Sequence, residues 1–412
     1  SMLDNKPAVA IPIFAAPNAN AIEISDGVRK VMERMRQSFP EGVDYKIEAN
    51  RKKLRYSQLI IVPDSDADGI HVCSLCVVFF LVRFYSLVEI GFIKFLRTPI
   101  LTVKKGSAYF KFYTQGAYET WKTRNPDFES WTTRYYKGLG SSNEEQIKEE
   151  YLAPKLVRFY IDADTKTSVE LAFKKTETDK RKQWLNHFFN TQAPDLEMYT
   201  DLPISTYINY ELVGYSIESI TRAIPEAYDG LKESQRKALF TALKRLNSSK
   251  KTIKVAQIAS AAAEVTLYKH GESALADTIV LMAQNYIGSN NLPFFSTDGL
   301  FGNRRKTEGS NPRYIYVGLN WWIPYVFRKE DRDLEIPVVD EGAKLESESF
   351  FPILPLHVIN GVKGIATGYS CTHHPHNPLD IAFWLQCRIM QALEPEKKYP
   401  LPQIKPWVKG WT

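Results

Sequence analysis

Three carboxylates stand at alternate positions in Asp64-Ser65-Asp66-Ala67-Asp68, closed by Gly69. They follow a β-type run, Leu59-Ile60-Ile61-Val62, ended by Pro63, so a buried strand is expected to deliver the acids to a turn. Alternate strand residues face one way and the turn lets the last acid fold inward, so the three side chains can converge. Hard oxygen donors at that density suit magnesium and magnesium-assisted phosphoryl chemistry. The other reading is a solvated acidic turn, because without a cation, basic neighbours or free solvent the carboxylates would raise one another's pKa. The run is not an EF-hand calcium loop, since Leu75 stands where that loop needs a bidentate glutamate.

A second candidate is Asn311-Pro312-Arg313-Tyr314, a cation beside a phenol on a proline-led segment. A phenol of pKa about 10 is a weak neutral nucleophile and needs a base or a cation to gain phenolate character. Arg313 could supply that cation or grip a phosphate oxygen bidentately. On its own the pair is equally a packing tyrosine beside an arginine, and His270 in Tyr268-Lys269-His270-Gly271-Glu272 is equally structural. Lys232, Arg236, Lys237, Lys244, Arg245, Lys250, Lys251 and Lys254 form a basic cluster over a helical pattern, with Arg304-Arg305-Lys306 as a second basic loop. Such a face either neutralises phosphates or is solvated. Cys73 and Cys76 lie in an apolar run and read as a buried structural pair, and the spacing of Cys371, His373, His374 and His376 fits no common zinc pattern.

The elements that must position these groups follow from composition and pattern. With 412 residues, 44% hydrophobic, 24% charged and net charge +6, the chain is a folded multidomain protein with a mild preference for polyanions. Four cysteines are too few for a disulfide scaffold of this size, and no apolar run is long enough to span a bilayer. A helix is expected over residues 71–88, strands over 100–103, 108–113 and 133–136, and helices over 117–124 and 142–151, an α/β alternation. Residues 174–182 and 193–195 read as a connector, with a second domain beginning near Ser205. Residues 217–283 are largely helical and alanine-rich at 256–265, and beyond Pro293 the pattern becomes α+β. The Ser1-Met2 start reads as a cloning remnant and the whole as a piece of a longer protein.

Taken in order, these segments resemble the type IIA DNA topoisomerases, in the eukaryotic and large-DNA-virus form, over their DNA-binding and cleavage core. The acidic turn resembles the DxDxDG motif of the TOPRIM domain, and Tyr135-Tyr136-Lys137-Gly138-Leu139-Gly140-Ser141-Ser142 the YYKGLG(T/S)S segment. Leu171-Ala172-Phe173 with Asp179 to Leu185 is similar to the LAF…DxRKxWL connector. Arg222-Ala223-Ile224-Pro225 and Asp229 to Lys237 resemble the RxIP…DGLKPxQRK opening of the winged-helix domain. Tyr268 to Glu272, Pro312-Arg313-Tyr314-Ile315 and Gly364 to Gly368 follow in family order.

The resemblance implies an α/β plus α+β multidomain fold: an N-terminal segment (1–53), a TOPRIM metal-binding domain with a Rossmann-like parallel sheet (54–152), a connector (153–204), a winged-helix domain (205–335) and the start of a tower domain (336–412). It implies that Tyr314 attacks a DNA phosphodiester to give a 5′-phosphotyrosine, and that Arg313, Arg222 and His270 hold the scissile phosphate. Asp64, Asp66 and Asp68 would hold Mg2+, with Mn2+ or Ca2+ able to substitute in binding. Lys137, Lys232, Arg236 and Lys237 would contact DNA, and Ile365 would wedge between bases. Double-stranded DNA and a second copy of the chain are the implied partners, with no membrane. ATP would be used only by an ATPase domain expected to lie outside this chain, as are the coiled-coil arm and exit gate. The implied location is intracellular, nuclear for a cellular protein and host cytoplasm or nucleus for a viral one. Departures from the family pattern are the EGDSA glutamate motif, which does not precede Asp64, and Glu233, Lys269 and Ala366 in place of proline, histidine and glycine. The competing classes are a non-catalytic duplex-binding and bending fragment and a TOPRIM nuclease or primase.

Overall fold

The structure is a computed structural model that describes residues 2–3, 6–7, 30–37, 54, 56–136, 138, 140, 143–189, 194–246, 251–340 and 343–411. The chain divides into two compact units, Ser1–Ala172 with Ala193–Leu212, and Phe173–Gln192 with Val213–Thr412.

In the first unit the order is β1 (Leu59–Ile61), α1 (Ala67–Arg83), β2 (Ile93–Leu96), β3 (Leu101–Lys105), β4 (Ala108–Phe112), α2 (Gln115–Arg124), β5 (Thr132–Tyr135), α3 (Glu144–Leu152), β6 (Leu156–Tyr160), α4 (Thr165–Phe173) and β7 (Asp201–Pro203). The expected parallel sheet is instead mixed. Its order is β1-β2-β6-β7, and an antiparallel β2/β6 pairing joins two parallel pairs. The strands β4-β3-β5 form a separate antiparallel sheet, because a two-residue turn at Gly106 (φ 59°) folds β4 straight back on β3. The first sheet buries Ile93, Phe95, Val157, Phe159 and Leu202, with the Phe95 and Phe159 rings stacked at 5.2 Å. Tyr207, at the start of a π-helical stretch, packs on both rings, and its hydroxyl donates to the Ile70 carbonyl of α1 at 3.0 Å. Burial of Tyr207, Ile208 and Leu212 keeps residues 194–212 with the first unit, and the chain passes for the second time into the second unit at Val213. The helix expected over 71–88 starts earlier, at Ala67, and breaks at Phe84 before a short helix, Tyr85–Glu89.

The second unit contains α5 (Thr178–Phe188), α6 (Val213–Ala223), α7 (Glu233–Arg245), β8 (Ile253–Lys254), α8 (Val255–Val265), α9 (Glu272–Ala283), β9 (Phe295–Asp298), β10 (Tyr316–Leu319), β11 (Pro337–Asp340), β12 (Ala343–Ser347), α10 (Leu356–Asn360), β13 (Val362–Ile365), β14 (Ser370–His373) and α11 (Pro378–Leu393). Its core joins α7, α8 and α9 to the antiparallel sheet β8-β10-β9 through Leu239, Ile258, Leu275, Ile279, Phe295 and Val317. Ala259 and Ala262 of α8 are buried, and small side chains there let the neighbouring helices approach closely.

A charged pair lies inside this core. Asp229 is fully buried. Its Oδ2 accepts from Arg236 Nε at 2.7 Å and from the Phe350 N–H at 3.0 Å, and its Oδ1 accepts from Arg236 Nη2 at 3.1 Å and from the Leu231 N–H at 2.8 Å. The carboxylate thereby closes the turn entering α7 and ties it to the chain more than a hundred residues on. Gly230 takes φ +68° beneath it, where a Cβ would stand 2.4 Å from His357.

Breaking a buried, fully bonded pair from one side strands the other charge. Arg236→Met is expected to lower unfolding free energy by about 3–5 kcal/mol in urea titrations; a loss below about 1 kcal/mol would contradict this account.

Candidate functional site

The acidic turn sits where β1 hands over to α1. Asp66 is the N-cap: its Oδ1 accepts from the Gly69 N–H at 2.8 Å, which satisfies one of the donors that a helix start leaves open. The turn is anchored to the end of β2, as Ser65 Oγ bonds Thr98 Oγ1 at 2.9 Å and donates to the Pro99 carbonyl at 3.2 Å. A Cβ on Gly69 would lie 2.2 Å from the Asp64 carbonyl oxygen, so this position admits only glycine without a shift of the turn. Gly138, of the Tyr-Tyr-Lys-Gly run, also comes close, since a Cβ there would be 2.7 Å from Asp64 Oδ1. Sequence reading missed Ser65, Thr98 and this approach of Gly138.

The donor chemistry of Asp64, Asp66 and Asp68 suits a hard divalent cation. Asp66 Oδ1 is engaged in capping the helix, which leaves its Oδ2 with the Asp64 and Asp68 carboxylates as donors, and no group of three His, Cys, Asp or Glu is gathered at metal-binding spacing among the described residues. Behind the turn, Cys73 is buried and Cys76 only half-buried, and both are free thiols, so the expected buried pair holds for Cys73 alone. Burial pushes the Cys73 thiol up from 9.0 to about 12, with Tyr207 opposing the rise.

In the second unit, Arg313 and Tyr314 stand on a loop between β9 and β10. The first turn of α8 clamps it: the Val255 N–H donates to the Ile315 carbonyl at 3.0 Å and the Ala256 N–H to the Pro312 carbonyl at 3.1 Å. Just before the first clamp Asn311 makes a local turn, accepting from the Arg313 N–H on Oδ1 and from the Tyr314 N–H on its carbonyl. Both side chains are turned outward, and Tyr314 is 75% exposed. Gln284, buried, steadies the preceding basic loop by donating to the Phe301 and Thr307 carbonyls at 2.9 and 2.6 Å. Arg304, Arg305 and Lys306 are exposed on it.

Arg222 and His270 meet, with Nη1 and Nε2 2.8 Å apart. Arg222 comes from the last turn of α6 and His270 from the link between α8 and α9. The Tyr314 loop and the His270 link thus adjoin opposite ends of α8, whose eleven residues span about 16 Å. Ile365 ends β13 at the tip of a hairpin with β14 and is 68% exposed. That hairpin is pressed onto the end of α6, because a Cβ on Gly364 would lie 2.4 Å from the Ala223 carbonyl oxygen.

Two expected DNA contacts are corrected. Arg236 and Lys237 are buried and face inward, Arg236 on Asp229 and Lys237 Nζ on Glu346 Oε1 at 2.6 Å and the Thr266 carbonyl at 3.2 Å. Neither offers its charge to a phosphate. Lys232 is half-buried, and burial lowers its pKa. Lys137 and Lys250 lie outside the described residues.

Residues 222–412 match the sequence model for the A-type subunit of DNA gyrase/topoisomerase IV, and residues 96–220 that of the C-terminal associated domain of TOPRIM. A model of the AcrB/AcrD/AcrF family matches residues 1–89, although no helix among the described residues is long and apolar enough to cross a membrane. The DNA topoisomerase 2 of Invertebrate iridescent virus 6 is 38% identical over 389 residues, 90% of this chain and 34% of the relative. That of Saccharomyces cerevisiae is 36% identical over 88% of this chain and 25% of its own length, and the Homo sapiens DNA topoisomerase 2-alpha 36% over 80% and 22%. The DNA-binding, cleavage and re-ligation domain of Plasmodium falciparum topoisomerase II superposes with a TM-score of 0.74 at 32% identity, over 96% of this chain and 53% of that one. The chain therefore spans about a third or less of the length of these curated relatives. Its mixed α/β fold is similar to that cleavage core.

Two outcomes follow from the acidic turn and its helix. Gly69→Ala should destabilise the fold by about 1–3 kcal/mol, read by urea unfolding, and wild-type stability would remove the close-approach argument. The raised Cys73 pKa means that its stabilising effect is complete below the unfolded value near 9.0 and fades as pH climbs toward about 12. Melting midpoints from pH 8 to 11 should therefore fall more steeply for wild type than for Cys73→Ala, and parallel curves would exclude the buried thiol as a cause.

Proposed function

The chain carries a type II topoisomerase core, and from that premise we propose that it is the DNA-binding and cleavage part of an ATP-dependent enzyme that passes one duplex through another. The observation that carries this reading is the clamped loop that holds Tyr314 outward beside Arg313. In the proposed reaction the deprotonated Tyr314 Oη attacks a backbone phosphorus. The Oη–P bond forms, the P–O3′ bond breaks, and the 3′ oxygen takes a proton. One phosphodiester replaces another, so the strand can be resealed by the reverse step without ATP. Arg313 grips a non-bridging oxygen as a guanidinium fork, and the Arg222–His270 pair presents a second cationic donor set to the phosphate.

Asp64, Asp66 and Asp68 are the oxygen donors that would take Mg2+, which when bound would supply charge stabilisation to a phosphate. Duplex DNA is the proposed substrate and a second copy of the chain the proposed partner. Within this reading the first unit contains the TOPRIM domain, the second the winged-helix domain and the start of the tower, and Ile365 is the apolar wedge that bends the duplex. Lys232 and the exposed loop Arg304 to Lys306 serve as backbone contacts. A non-catalytic duplex clamp is the second reading, favoured by the ungathered carboxylates of the acidic turn.

The test incubates the chain with supercoiled plasmid and Mg2+, quenches with detergent, and digests with protease. Broken DNA carrying a 5′-linked peptide at Tyr314 is expected, and Tyr314→Phe should abolish that link while leaving mobility-shift binding intact. Links that persist in Tyr314→Phe sink the assignment; binding without any links selects the clamp.

A further inference from the structure

Helix α8 ends in an unusual way. The Thr266 N–H makes the last regular helix bond, to the Ala262 carbonyl, and the Tyr268 N–H reaches back to the Ala263 carbonyl, both at 3.0 Å, the second being the six-to-one bond of a Schellman ending. The residue between them, which takes the left-handed conformation, is ordinarily glycine. Here it is Leu267 at φ 47°, the only non-glycine residue with positive φ among the described residues. A side chain there strains the backbone, so surrounding structure must hold the conformation in place.

The holding group is Lys237. Thr266 is fully buried, and its carbonyl accepts from Lys237 Nζ at 3.2 Å. That carbonyl belongs to the planar peptide that supplies the nitrogen of Leu267, so fixing its direction fixes the rotation at Leu267. Lys237 is itself fixed from two sides, by Glu346 Oε1 of β12 at 2.6 Å and by Glu233 Oε1 one turn earlier on α7 at 3.5 Å. The β11–β12 hairpin takes a second grip on the same link through Asp340 and Lys269 at 3.1 Å. Downstream of Leu267 the chain has only Tyr268 and Lys269 before His270, whose ring lies 5.3 Å from that of Tyr268 and whose Nε2 meets Arg222.

We propose that Lys237 is a positioning residue for His270: its buried ammonium locks the Thr266 carbonyl, and with it the left-handed Leu267, so that His270 is delivered to Arg222. The consequence for catalysis rests on the reading of His270 as a phosphate-holding group. The placement itself does not.

The experiment uses the full chain labelled at its histidine ring carbons, with the His270 signal assigned by its loss in His270→Gln. Lys237→Met combined with Glu346→Leu removes both charges, so neither is stranded in the core. In this folded variant the His270 signal should shift away from its wild-type position as the ring leaves Tyr268 and Arg222. Adding Leu267→Gly should shift it back, because glycine takes the left-handed conformation without being held. Plasmid cleavage should fall roughly ten- to a hundredfold in the double variant and recover in the triple, the size expected when a catalytic group is misplaced by about 1 Å. A folded double variant with an unmoved His270 signal overturns the proposal, as does a shifted signal that Leu267→Gly fails to restore. If the double variant does not fold, Lys237→Arg keeps the charge but replaces a point donor with a planar fork, and an unmoved signal there overturns it equally. Cleavage that survives His270→Ala would instead sink the catalytic reading of His270 and leave the positional result standing.

Discussion

Two neighbouring cations of α7, turned into the core, set the geometry of the second unit. Arg236 meets the fully buried Asp229 through two guanidinium bonds, and Lys237 meets Glu346. Asp229 has both oxygens filled, whereas Glu346 meets Lys237 with Oε1 and leaves its buried Oε2 without a partner, so the arrangement is intolerant of small displacements. The Asp229 carboxylate fixes the turn entering α7 and the start of the segment at Phe350, while Lys237 fixes the end of α8. The helices that carry the candidate site are therefore held by directional bonds as well as by the apolar contacts of Leu239, Ile258 and Ile279.

Helix α8 works as a spacer within that frame. Its first turn donates to the carbonyls on either side of Arg313 and Tyr314, and its last turn leads into the link that carries His270. A regular helix has a fixed rise, so the separation of these two backbone segments follows from its residue count. The candidate side chains lie at element ends and in loops, whereas the elements themselves supply only distance and direction.

Much of this was legible in the sequence. The apolar run before Asp64 and the glycine after Asp68 marked the strand and turn correctly, because both signals are local. The strands near residues 101–105, 108–112 and 132–135 were also visible, but not their pairing, which a two-residue turn at Gly106 decides. Arg236 and Lys237 misled for a different reason. On a helix pattern they belong to a basic face, and the carboxylate that draws Lys237 inward, Glu346, is 109 residues away in sequence. The packing of Tyr207 on Phe95 and Phe159 is likewise a tertiary fact that no local signal carries. Leu267 carried no signal at all, since nothing in its neighbourhood announces a glycine position filled by leucine.

The contact of Gly364 with the Ala223 carbonyl leaves no slack between the Ile365 hairpin and the end of α6. A load taken up at the hairpin tip has no soft layer in which to dissipate before it reaches Arg222, one residue along. The fit turns on a missing methyl group, and any residue larger than glycine at 364 would act as a shim that drives the hairpin and the helix end apart.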